Sequence, residues 1–190
     1  NAYGTLLWEG SLGPDAWVSL TPRVAWGQDS GAGARLHSGY LKLRSGNIEF
    51  FVGKDTLSWG QGRQSNLLLS DNATPLTRVQ ISNIEPLHYR GLLKALGTIN
   101  AKVFLSVLGD REYWNGSQWV DHNKPNYYGM RLDLQPASNF TLGLGYTSMF
   151  GGRGVEMSLQ RYFEVMIGET TFANHDFGNG MGGIDFRWRI

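Results

Sequence analysis

Apolar and polar residues alternate with a period of two along much of the chain, as in strands whose two faces meet different surroundings. From Asn126 to Gln135, Tyr128, Met130, Leu132 and Leu134 fall on one face. Tyr127, Gly129, Arg131, Asp133 and Gln135 fall on the other. Residues 136–139 (Pro-Ala-Ser-Asn) read as a turn. The return strand sets Phe140, Leu142, Leu144, Tyr146 and Phe150 against Thr141, Gly143, Gly145 and Thr147. Residues 181–190 repeat the theme, with Ile184, Phe186, Trp188 and Ile190 opposed to Asp185, Arg187 and Arg189. Residues 16–26, 39–44, 48–54, 78–82 and 100–108 also alternate, less cleanly, and residues 2–9 read as strand. Counting the flanks, this spacing predicts about nine or ten turn-linked strands and an all-β chain.

Three stretches depart from that pattern. Residues 156–168 follow a glycine cluster, place Met157, Leu159, Phe163, Met166 and Ile167 near helical spacing, and end on Gly168. They predict one short helix with a glycine cap. Residues 87–96 are ambiguous between helix and strand. The longest break runs from Gly53 to Pro75, where Trp59 and Arg63 flank two glycines around Gln61, and Leu67 to Leu69 lead into Ser70, Asp71 and Asn72. A loop this long is rarely a plain connector.

Composition narrows the setting. The chain has 26 Gly, 7 Trp, 8 Tyr and 9 Phe among 190 residues and only 17% charged residues, which suits tight turns and aromatic belts better than a soluble helical domain. No apolar run approaches the roughly 20 residues of a membrane-spanning helix. A barrel remains open, because only alternate strand residues need face lipid. Alternation alone does not separate a soluble sandwich from a membrane barrel. Arg131 with Asp133, and Asp185 with Arg187, beside Gly129, Gly143 and Gly145, point to a polar ladder lining a lumen. A helix in such a chain belongs in the lumen or in an extramembrane loop. Both termini lie in strand-like text, so an excised piece of a longer chain is expected, with a small soluble domain as the plainer reading.

Several chemistries find no support. A net charge of +1 gives no reason to expect a nucleic-acid partner. There is no cysteine, which removes thiolate catalysis and Cys-ligated zinc. The histidines at 37, 88, 122 and 175 lack metal-ligand spacing. No Asp or Glu pair has a spacing that would fix it across a cleft, so a glycosidase reading has no specific support. Residues 178–183 match G-x-G-x-x-G but open no helix, so they fail the phosphate-cradle context. We expect no enzymatic activity, no metal and no cofactor.

Several motifs, in order, resemble the Wzi family of capsule-assembly proteins. Trp59-Gly60-Gln61-Gly62, then Leu67 to Ser70, then Asn72-Ala73-Thr74-Pro75 are similar to that family's signature region. Gly109-Asp110-Arg111-Glu112, the hairpin around Gly129-Met130-Arg131-Leu132, and the block from Phe150-Gly151-Gly152 to Gly183-Ile184-Asp185-Phe186-Arg187 extend the likeness over roughly residues 35–190. Family members are longer outer-membrane barrels that act as surface lectins. The resemblance implies that residues 1–190 form part of a single antiparallel transmembrane β-barrel, truncated at both ends. It places the protein in the bacterial outer membrane, among its lipids, with capsular or other surface polysaccharide as partner. The full-length parent is expected to be monomeric.

Glycan recognition needs aromatic faces for sugar rings and planar polar groups for hydroxyls, with arginine for acidic sugars. Trp59, Arg63, Gln64, Asn66 and Asn72 supply these types in one loop, and Trp114 and Trp119 bracket a second. Each has a plainer reading: Trp59 packing its loop, Arg63 pairing with Asp55 or Asp71, and the Trp114–Trp119 tip lying in an interfacial aromatic belt. A porin-like channel, with the Arg/Asp ladder passing small solutes, is the alternative function. A soluble β-sandwich carbohydrate-binding module or enzyme is a further one.

Overall fold

The computed structural model describes residues 2–27, 31–61, 68–69, 74–114, 117, 119–122, 124–152, 156–168, 171–172, 175–176 and 178–189. The elements in chain order are β1 (Ala2–Thr5), β2 (Trp8–Ser11), β3 (Ala16–Gly27), β4 (Gly31–Ser45), β5 (Ile48–Asp55), β6 (Leu76–Asn83), β7 (Leu87–His88) and β8 (Thr98–Val107). There follow β9 (Arg111–Trp114), β10 (Trp119–His122), β11 (Asn126–Ala137), β12 (Phe140–Phe150), helix α1 (Leu159–Met166), β13 (Thr171–Phe172), β14 (His175–Asp176) and β15 (Gly178–Trp188).

Eleven of these strands form one sheet in the order β1-β3-β4-β5-β6-β8-β11-β12-β15, with β2 beside β3 and β7 beside β8. Every pairing is antiparallel, so the long strands make an up-and-down meander. The count exceeds the nine or ten read from alternation for two reasons. The first strand-like segment breaks at Leu6-Leu7 into β1 and β2, and the ambiguous stretch at 87–96 divides into β7 and a 3₁₀ turn at Gly91–Leu96. The register of β3 against β4 shifts between Thr21 and Pro22, where proline has no N–H to give the ladder.

Register sorts the side chains into two unlike faces. Leu43, Phe50, Ile81, Val103, Met130 and Tyr146 stand opposite one another across six strands on one face. On the other face, Phe51, Gln80, Phe104, Gly129 and Thr147 form one row, and Ser82, Lys102, Arg131 and Gly145 the next. The exposure is inside-out for a water-soluble sheet. Val52, Val79, Ile184 and Phe186 are 49%, 56%, 69% and 68% exposed, whereas Arg78 and Arg131 are each 5% exposed. An apolar surface this continuous marks contact with another apolar phase.

The two ends of the sheet also differ. At one end neighbouring strands are joined by two-residue turns at 46–47 and 138–139, by the short link 12–15, and by 84–97, which carries β7 and the 3₁₀ turn and runs back along the sheet beside β8. At the opposite end the connections run through 56–75, 108–125 and 151–177, alongside the brief link at 28–30. Helix α1 lies in the last of the long connections and is shorter than the expected 156–168. Ser158 caps it, its hydroxyl accepting from the Arg161 N–H at 3.3 Å, and Gly168 follows at φ 95°. It packs on the apolar face, where Val165 is buried with Tyr128 and Phe150, and not on the polar face.

Candidate functional site

The polar face is organised around Arg131. Its guanidinium donates to Asp133 from Nε at 3.1 Å and Nη2 at 2.6 Å, and to Asp185 from Nη1 at 2.8 Å and Nη2 at 2.9 Å. Asp133 is two residues along the same strand and so shares its face, while Asp185 arrives from β15 through the ladder β11-β12-β15. Gly143 stands between the two carboxylates in that ladder, opposite Asp133 and opposite Asp185. A side chain there would strike the Arg131 fork and Asp185, so the site needs a residue without Cβ at that point.

This charge cluster holds Gln61, in the connection at 56–75, down on the sheet. The backbone N–H of Gln61 donates to Asp185 at 3.2 Å, and its side-chain amide donates to Asp133 at 3.0 Å. Its carbonyl accepts from Arg187 Nη2 at 2.7 Å. Three of the four ladder residues named from sequence therefore bond Gln61 directly. Arg187 differs from expectation in partner: it bonds the loop carbonyl, while Arg131 takes both aspartates.

Trp59 anchors the same connection apolarly. It is 2% exposed, its ring meets Phe104 edge-on at 5.2 Å, and Phe104 in turn meets Tyr127 at 5.5 Å. The ring sits over Gly129, where an added Cβ would lie 2.8 Å from Trp59 Cη2. Its backbone N–H donates to Leu69 O at 3.0 Å, which doubles the loop back on itself, and Leu68 lies over Gly145. In this arrangement Trp59 packs its loop and offers no open face to a sugar ring. Arg78 fixes the start of the connection. It stacks on Phe51 at 4.2 Å and donates to Asp55 O at 2.8 Å and to Gln80 Oε1 at 3.0 Å.

Arg63, Gln64, Asn66 and Asn72 lie outside the described residues. Trp114 and Trp119 are directly opposed in the β9–β10 hairpin, which rises from the long connection at 108–125. Sequence reading missed Gln61 as a site residue, along with Arg78 and Phe104. The alternation in β6 and β8 carries a partial signal, because it sets Arg78 and Gln80 on one face and Phe104 on the matching face of β8. Nothing local marks Gln61, whose partners stand 72 and 124 positions away.

The model of the capsule assembly protein Wzi family matches residues 1–190. The chain belongs to that family. Its fold agrees with a solved structure of Wzi from Escherichia coli, an outer membrane protein involved in group 1 capsule assembly and a carbohydrate-binding β-barrel. The two are 21% identical with a TM-score of 0.75, and the match covers 98% of this chain and 38% of that one. This Wzi-family chain thus spans about two fifths of the structure it matches, and its open antiparallel sheet has the fold of part of that barrel. A search of curated proteins finds no match.

Proposed function

We propose that the intact protein is an outer-membrane β-barrel that binds capsular or another surface polysaccharide and has no enzymatic activity of its own. The supporting observation is the asymmetry of its two ends. In outer-membrane barrels the periplasmic turns are short and the extracellular loops long. The turns at 46–47 and 138–139 then face the periplasm, and the connections at 56–75, 108–125 and 151–177 face outward. Every candidate glycan residue belongs to the outward end. Outer-membrane lipid covers the apolar face, including Val52, Val79, Ile184 and Phe186, and the parent acts as a monomer.

The polar face becomes the lumen in this reading, with Arg131, Asp133, Asp185 and Arg187 as its ladder. The Gln61 loop then lies across the lumen wall instead of leaving it clear, which favours a glycan-binding barrel over a porin-like channel. Arg63, Gln64, Asn66, Asn72, Trp114 and Trp119 are the proposed contacts, while Trp59 serves by holding the loop. The intact protein should be retained on a matrix of capsular polysaccharide and should pass no steady current in a planar bilayer. Arg63→Ala combined with Asn66→Ala should reduce retention without changing the heat stability of the barrel. Open-channel conductance without glycan retention would overturn the proposal in favour of the channel.

A further inference from the structure

Helix α1 presents two apolar sides, and among the described residues only one has a partner. Val165 is fully buried against Tyr128 and Phe150, the Tyr146 hydroxyl donates to Val165 O at 3.2 Å, and Tyr162 meets Phe150 edge-on at 5.5 Å. These contacts turn Tyr162, Val165 and Met166 toward the sheet. Leu159, Phe163 and Ile167, spaced four apart, form a separate stripe that is 79%, 65% and 76% exposed. A helix bathed in water would carry polar residues there. The polar side is elsewhere, where Gln160 bonds Glu164 at 2.7 Å and Arg161 pairs with Glu164 at 3.3 Å.

The location of the stripe indicates what covers it. Helix α1 rests on the face that carries the rows Val52-Val79-Leu105-Tyr128 and Phe50-Ile81-Val103-Met130-Tyr146, so the stripe continues that exposed apolar surface at its long-connection end. A helix this short has terminal N–H and C=O groups that need water or caps, which forbids the hydrocarbon core. The boundary between headgroups and acyl chains satisfies both demands. Tyr128 and Tyr146 of the sheet and Tyr162 of the helix, each an apolar ring with a polar tip, cluster where the helix meets the sheet, as aromatic residues do at that depth.

We propose that α1 is an interfacial helix on the outer wall of the barrel, with its Leu159-Phe163-Ile167 stripe seated at the acyl–headgroup boundary of the outer leaflet. It pins the connection at 151–177 to the membrane surface and so fixes the height of the outward end above the lipid. The inference rests on the lipid-facing reading of the apolar sheet face given above.

Residues 1–190 contain no cysteine, so once any cysteine elsewhere in the intact protein is replaced by serine, a single thiol introduced here can carry a fluorophore. Phe163→Cys, Gln160→Cys and Ile81→Cys would be made in the intact protein, labelled with bimane and reconstituted in phosphatidylcholine vesicles. Lipids spin-labelled near the headgroup or deep in the chain, and aqueous iodide, serve as quenchers. The shallow lipid label should quench the probe at 163 several-fold more than iodide does, the deep label should quench that at 81, and iodide should quench that at 160. Leu159→Cys provides a second reporter should Phe163→Cys fail to fold. Lipid quenching at 81 with iodide quenching at 163 overturns the helix proposal and leaves the lipid-facing wall standing. Protection at 163 from both quenchers overturns it in favour of a protein cover, and iodide quenching at 81 overturns both readings.

Discussion

Replacing Arg131 with methionine tests the polar network at its centre. Methionine keeps much of the side chain's bulk but removes four hydrogen bonds, to Asp133 and to Asp185, with donor–acceptor distances of 2.6–3.1 Å. It leaves two carboxylates facing one another with no cation between them. Taking one partner from a buried ion pair costs about 3–5 kcal/mol. Arg131 is 5% exposed, but Asp133 and Asp185 keep 23% and 20% side-chain exposure, so water recovers part of the loss. The lower end applies, about 3 kcal/mol, on the order of a hundredfold in the folding equilibrium. Arg131→Lys keeps the charge but not the fork that reaches both carboxylates, and should cost about 1–2 kcal/mol. The triple change Arg131→Met, Asp133→Asn, Asp185→Asn removes the stranded charges and should cost less than Arg131→Met alone. Urea unfolding of the intact protein in detergent micelles, followed by tryptophan emission, measures all three. A loss below about 0.5 kcal/mol for Arg131→Met, within the range of ordinary surface changes, would refute the reasoning.

Three further outcomes are expected. Gly129→Leu drives a side chain into Phe104 and Trp59, which are 1% and 2% exposed and have no room to yield, so stability should fall by about 1–3 kcal/mol with a red-shifted tryptophan emission. Trp59→Ala removes the apolar anchor and should cost about 3–5 kcal/mol, while protease cleavage within 56–75 rises; unchanged cleavage would show that the loop holds without it. An epitope inserted at residues 115–116 should be reached by antibody on whole cells, and one at 46–47 only after permeabilisation. The reverse pattern would invert the assigned orientation.

The alternation of residues 126–150 and 181–188 sufficed to place Arg131, Asp133, Gly143 and Asp185 on one face, because side-chain direction in a strand is a local property with a period of two. Family membership was legible in the same way, from short motifs in order between Trp59 and Arg187. The helix between Phe150 and the last strand could be read from its apolar spacing and Gly168. Its place was narrowed only to the lumen or an extramembrane loop, and the structure sets it in the long connection at 151–177, against the apolar face, because Val165 finds its packing on Tyr128 and Phe150 there.

What the sequence by itself determined is therefore the long strands, their two unlike faces and the positions of the long connections. Only the tertiary structure decided that Arg131 serves both aspartates, that Arg187 turns to the loop and that Trp59 is an anchor. Only it showed Gln61 to be the loop's fastening point, through a bond that spans 124 positions. The physical reason is range. Periodicity is set by each residue's own backbone, whereas those contacts depend on how nine successive strands of the main path are registered. They also depend on which glycines leave room between the strands for a loop to lie down.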